Sequence, residues 1–223
     1  MTSSDTTTLP RQSPTGRHGT ATAVEDLRSR VQALVPSITG MSVTVVDGGS
    51  PFTAAASDPR TAALDAVQYV EGGPAVTSTV ERRDVEVTDT LDDDAVSEWG
   101  VFTAAATARD IRSTFSVTAP ATEGTSVTVT FLATEPHAFA AVQRDVRDLV
   151  DRLPAATFTG GAPIPPTALG ASARDLDLVE QAVGVVAAAA GVSLGEAQQL
   201  LPDAAARAQV DVAAAARAVL GED

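Results

Sequence analysis

The run from Asp175 to Leu220, DLDLVEQAVGVVAAAAGVSLGEAQQLLPDAAARAQVDVAAAARAVL, decides how the chain is divided. Leu176, Val179, Val183, Val186 and Ala190 recur at spacings of three and four, which places them on one helix face. Gly191 stands where a helix ends in the left-handed conformation that glycine tolerates best. Ser193, with Glu196 three residues later, has the spacing of a capping box opening a second helix. The pattern predicts three short alanine-rich helices. The apolar stripe fits a face packed on the other two helices or a coiled-coil seam, and its length of about two heptads favours packing.

Charge limits the partners. Residues 172–223 hold three arginines, no lysine and eight acids, a net −5 (3 − 8). The whole chain carries −14, and all fifteen of its basic residues are arginine. This balance opposes non-specific association with nucleic acid or an anionic membrane surface. The absence of cysteine excludes disulfides, thiolate nucleophiles and cysteine-ligated metal.

Other chemistry also lacks its residues. There is no Gly-x-Ser-x-Gly elbow, and Gly72-Gly73-Pro74 is not followed by the Lys-Ser/Thr of a phosphate loop. His18 and His137 are not spaced as a metal pair. Asp92-Asp93-Asp94 lacks alternating ligand spacing and reads as the acidic start of a helix. The expectation is a non-enzymatic chain with no cofactor and no metal. No apolar run reaches the roughly 18–20 residues of a membrane span, and residues 1–23 lack an apolar signal-peptide core. A cytoplasmic protein without membrane or DNA partners is therefore expected.

Upstream of the three helices the reading is mixed. Residues 1–22, Ser/Thr-rich and poor in large apolar side chains, read as a disordered arm. Val24, Leu27, Val31 and Leu34 predict a helix closed by Pro36. Ser42–Val46 reads as a strand, Asp47-Gly48-Gly49 as a turn, and Phe52–Ala56 as the hairpin partner. Asp58-Pro59 opens a helix reaching Val70, with Asp58 as N-cap, and Glu71-Gly72-Gly73-Pro74 ends it. A strand over Val85–Thr88, a helix over Asp92–Thr107, strands over Ser113–Thr118 and Ser126–Leu132, and a helix over Pro136–Leu153 follow. Pro154 to Gly170, with Gly160-Gly161 and Pro163-Ile164-Pro165-Pro166, has the composition of a linker. The order predicts an α+β fold on an antiparallel sheet. At 223 residues and 44% apolar content the chain can hold one substantial domain and a small one.

The helical tail, through Glu180-Gln181-Ala182-Val183-Gly184-Val185-Val186, Gly191-Val192-Ser193 and Gly195-Glu196-Ala197-Gln198-Gln199-Leu200-Leu201, resembles the ANTAR domain, an RNA-binding antitermination module of bacterial regulators. The part before it resembles a GAF domain. That likeness is carried by Leu64-Asp65-Ala66-Val67-Gln68-Tyr69 with Glu71-Gly72-Gly73-Pro74, by Trp99-Gly100-Val101-Phe102, by Ile111-Arg112-Ser113 and by Glu135-Pro136-His137-Ala138-Phe139. The resemblance implies an arm at 1–22, a GAF-like sensor at 23–153, a linker at 154–171 and an all-α ANTAR-like domain at 172–223.

It also implies a signal-responsive antitermination regulator, dimeric, binding paired RNA hairpins. Arg174, Gln181, Arg207, Gln209 and Arg217 are the tail residues that would touch RNA. The family's usual cations are replaced here by Val183, by Pro202 and Asp203, and by Gln209-Val210-Asp211. A second reading keeps the architecture and replaces RNA with a protein partner, such as a competent relative in a heterodimer. The two separate on whether the folded tail gathers Arg174, Arg207 and Arg217 on one face.

Overall fold

The computed structural model describes residues 14–119, 124–153 and 173–222. Among these residues five strands, β1 (Ile38–Asp47), β2 (Phe52–Ala56), β3 (Val85–Val87), β4 (Ser113–Thr118) and β5 (Thr125–Ala133), form one sheet in the order β2-β1-β5-β4-β3, every neighbouring pair antiparallel. The helices among the described residues are α1 (Pro14–Leu34), α2 (Pro59–Glu71), α3 (Pro74–Glu81), α4 (Asp93–Glu98), α5 (Gly100–Thr107), α6 (Gln143–Asp151), α7 (Ala173–Ala190), α8 (Leu194–Ala208) and α9 (Val212–Leu220). The chain is thus α+β, a sheet part joined to a helical part, as the element order predicts.

Strand alternation sorts the two sheet faces. One face presents Met41, Val43, Val45, Val117, Val127, Val129 and Phe131, which pack with Val24, Leu27 and Val31 of α1, with Phe139, and with Val146 and Val150 of α6. The opposite face presents Ser42, Thr44, Thr114, Ser116, Thr118, Ser126, Thr128 and Thr130, all buried. Helix α3 closes over part of it through hydroxyls. Ser78 Oγ lies 3.0 Å from Thr118 Oγ1, and Ser126 Oγ donates to the Thr79 carbonyl at 3.0 Å.

Helix α2 is buried along its length, from Thr61 to Tyr69 without a break. Asp58 caps it as expected, accepting from the Thr61 amide at 2.9 Å. On its far side lies the tail. Ala62, Ala63, Ala66, Val67 and Tyr69 share one apolar cluster with Val183, Val186, Leu201, Ala204, Ala205, Ala208, Ala215, Ala216 and Ala218. Small side chains on both partners let the helices approach closely, so the alanine-rich faces seal against α2. The stripe on α7 divides: Val183 and Val186 are buried, whereas Leu176 is 55% exposed. The linker at 154–171 lies outside the described residues.

The boundaries differ from expectation in four places. Helix α1 begins at Pro14 and not at Val24, overlapping the arm read as disordered; proline suits a helix's first position, and propagation from an anchored helix is inexpensive. The helix expected over Asp92–Thr107 breaks at Trp99, whose backbone (φ −139°, ψ 59°) leaves the helical range. Pro74, read as a stop, begins α3; Gly73 offers no side-chain cap, and the Ala75 amide instead donates to Gln68 Oε1 at 2.8 Å. The closing helix starts at Gln143 and not at Pro136, because His137 is left-handed (φ 56°) and its amide donates to the Thr88 carbonyl at 2.6 Å.

Candidate functional site

The site grows from one carboxylate in an otherwise apolar stretch of α2. Asp65 is 2% exposed and lies against the hydroxyl-bearing sheet face. Ser42 Oγ donates to Asp65 Oδ1 at 3.0 Å, Gln68 Nε2 donates to the same oxygen at 3.2 Å, and Thr53 Oγ1 donates to Oδ2 at 2.9 Å. Burial pushes the Asp65 carboxyl up to about 7, against the pull of its bonds from Thr53, Ser42 and Gln68. Desolvation outweighs three donors here because none of the three is charged.

The cluster extends one turn along α2. The Tyr69 hydroxyl lies 2.8 Å from Thr53 Oγ1 and 3.5 Å from Thr44 Oγ1. Burial, reinforced by the Asp65 charge, pushes the phenol far above its ordinary value. Gln68 ties the cluster to α3 through the Ala75 amide. The hydroxyls of Thr114 and Thr128 are buried without a hydrogen-bond partner among the described residues. A buried hydroxyl left so costs about 1–3 kcal/mol, which a packed sheet face would avoid by using valine. This interior is polar where a purely structural core would be apolar.

The tail reaches this cluster from outside. Arg207, in the last turn of α8, donates from Nη2 to the Tyr69 carbonyl at 2.8 Å and holds its guanidinium 4.8 Å from the Tyr69 ring centre. Its Nε lies 2.9 Å from Asp203 Oδ2, and its side chain is 14% exposed. Gln209, the left-handed residue that ends α8, donates from Nε2 to the Thr53 carbonyl at 2.5 Å. Tail and sheet part therefore meet on the main chain of Thr53 and Tyr69, the two residues whose hydroxyls meet beneath.

The residues expected at RNA are dispersed. Arg217 of α9 donates to Asp175 of α7 at 2.9 Å, which ties these two helices together. Gln181 is exposed on α7, near the exposed acids Asp177 and Glu180. The Arg174 side chain lies outside the described residues. Arg207 and Gln209 face the sheet part, so in this docked arrangement no arginine face forms from Arg207 and Arg217. An open groove of about 580 Å³ beside β3, lined by Glu86, Asp92, Asp93, Asp94 and Glu98, adds negative field at the opposite sheet edge.

Sequence reasoning missed the Asp65 cluster, although the signal was present. Asp65 and Gln68 interrupt an apolar helix, and Ser/Thr alternate with valine in SVTVV, STFSVT and TSVTVT. That alternation marks strands, and it also marks one sheet face as a layer of hydroxyls. Among the described residues no group of three or more His, Asp or Glu converges to hold a metal. No single helix among them is long and apolar enough to cross a membrane.

No family model matches the chain, and no curated protein matches it. Among solved structures, a crystal structure of Escherichia coli SdiA in space group P6522 aligns with 89% of this chain and 91% of its own, at 13% identity and a TM-score of 0.44. SdiA in complex with octanoyl-rac-glycerol aligns with 96% of this chain and 99% of its own, at 11% identity and a TM-score of 0.39. At these scores the likeness carries no argument about fold or function.

Proposed function

We propose that the chain is a signal-responsive regulator in which a GAF-like sensor and an ANTAR-like tail work as one body, with output through a protein partner. The observation that carries this reading is the placement of Arg207 and Gln209, which are engaged by Tyr69 and Thr53 and not presented outward. A cation engaged in this way releases no counterions from RNA, and the net −5 of residues 172–223 opposes approach of a polyanion. The buried hydroxyl-bearing sheet face supports the sensor half, since Thr114 and Thr128 keep hydroxyls without a partner among the described residues where a purely packed face would be apolar.

The second reading is transcription antitermination through RNA hairpins, which requires the tail to lift from α2. The tail's three helices and the capping box at Ser193 favour it as an ANTAR-like unit. Titration of the full-length protein into a labelled double-hairpin RNA across a salt series separates the two. The protein-partner reading predicts no saturable anisotropy change at low salt. Saturable binding that weakens steeply with salt overturns it and supports antitermination.

A further inference from the structure

We propose that the outer rim of β3 is where the partner docks, and that the partner brings an extended basic segment, with cations at alternate positions, which adds to the sheet as a further strand. This names the surface and the chemistry behind the reading of output through a protein partner, and it rests on that reading.

Strand β3 ends the sheet, and β4 is its one strand neighbour among the described residues. A strand so placed offers main-chain donors and acceptors on its outer side, along which another strand can pair. The other edge is already engaged, since the Thr53 carbonyl of β2 receives Gln209 of the tail.

Two grooves flank the β3 rim, one on each sheet face. Val85 and Val87 turn toward the face that holds Trp99, where the groove of about 580 Å³ lies between β3 and α4. Glu86 turns the other way: it stands opposite Phe115 in register and accepts from Gln143 Nε2 of α6 at 2.5 Å. On that side a second groove, of about 600 Å³, is lined by Phe115, Ala140, Ala141, Arg144 and Arg147. Successive side chains of an added strand point alternately into the two grooves. On the rim strand itself, Glu86 Oε1 is buried with no hydrogen-bond partner among the described residues, an acceptor that a donor from the added strand would satisfy.

Charge selects the occupant. The α4 groove is walled by Asp92, Asp93, Asp94 and Glu98, and the one cation lining it, Arg83, is paired with Glu81 at 2.5 Å. A second copy of the chain would bring the same acids to the rim, so like-charge repulsion opposes self-pairing here. A strand with cations on one face meets these acids with complementary charge. Small apolar side chains on its other face cover Phe115, Ala140 and Ala141.

The test is a titration of the full-length protein, at low salt, into a labelled, end-capped peptide Arg-Val-Arg-Val-Arg. Trp99, the single tryptophan, lines the α4 groove and reports occupancy through its emission. The expected result is a saturable rise in peptide anisotropy that coincides with a change in Trp99 emission. Asp93→Asn with Asp94→Asn and Glu98→Gln, all three exposed, should weaken binding about tenfold and leave far-UV circular dichroism unchanged. N-methylation of one alternate set of peptide amides should abolish binding while methylation of the other set is tolerated, because only one side of an added strand faces β3. No binding, equal binding by Arg-Arg-Arg-Val-Val, equal binding to the triple variant, or equal effects of the two methylation sets would overturn the proposal. Saturable RNA binding in the hairpin titration instead overturns the protein-partner reading, so the two failures are told apart.

Discussion

Arg207 donates to the Tyr69 carbonyl at 2.8 Å while its guanidinium lies 4.8 Å from the centre of the same residue's ring. One side chain thus satisfies a helix carbonyl and covers an aromatic face. Replacing it with alanine removes a charge-assisted hydrogen bond and a cation–π contact in a largely covered place, together about 1–2 kcal/mol. Lysine keeps the charge but not the planar fork, so Arg207→Lys should recover less than half of the loss. Urea unfolding midpoints of the three proteins check this; equal midpoints would mean that the contact contributes nothing.

Asp65 gives stability a pH dependence of definite sign. Its folded-state carboxyl is raised from 3.8 to about 7 by burial, so between those values the folded chain holds a proton that the unfolded chain has released. Stability from this group is therefore fully present below about pH 4, declines as pH rises to about 7, and is flat above. Between pH 5 and pH 8 the loss should be on the order of 2 kcal/mol. Urea midpoints across that range should fall with pH in the parent protein and much less in Asp65→Asn.

Gly73 is needed for space. A Cβ there would stand 2.5 Å from Gln68 Cγ and 2.6 Å from its Oε1. Gly73→Ala should therefore displace the side chain that joins Asp65 to the first turn of α3, costing about 1–3 kcal/mol. The expected readout is a lower thermal midpoint with faster amide exchange at Ala75, which loses its acceptor.

Ser193 caps α8 with its hydroxyl, accepting from the Glu196 amide at 3.3 Å, while Glu196 Oε2 accepts from the Ser193 amide at 3.0 Å. Ser193→Ala should cost about 1 kcal/mol, measured as a lower urea midpoint. Threonine at this position should retain most of the cap.

Local chemistry in the sequence was enough to place several of these features. Asp58 ahead of Pro59 and Ser193 with Glu196 bring their own short-range hydrogen bonds, and both are found where the residues predict, as is the Asp47-Gly48-Gly49 turn between β1 and β2. The breaks at Trp99 and His137 were not legible, because each depends on a distant acceptor: the Val101 amide reaches Glu71, and the His137 amide reaches Thr88. The docking of the tail was hidden for a similar reason. Alanines at 204, 205, 208, 215 and 216 read as a generic helix face, and nothing local says that Ala62, Ala63 and Ala66 of α2 complete it. Arg207 and Gln209 carry the right chemistry for RNA in isolation. Only tertiary contact turns that chemistry toward Tyr69 and Thr53.

That shared core makes the unfolding of the full chain the most direct test of the account. Trp99 is the single tryptophan and lies in the cluster that joins α2, α5 and the tail, whereas far-UV circular dichroism draws on every helix, including α7, α8 and α9. If the tail and the sheet part are one cooperative body, Trp99 fluorescence and far-UV dichroism will trace a single coincident urea transition. A separate dichroism transition at lower urea, complete before the fluorescence changes, would show a tail that folds and opens on its own and would contradict the account.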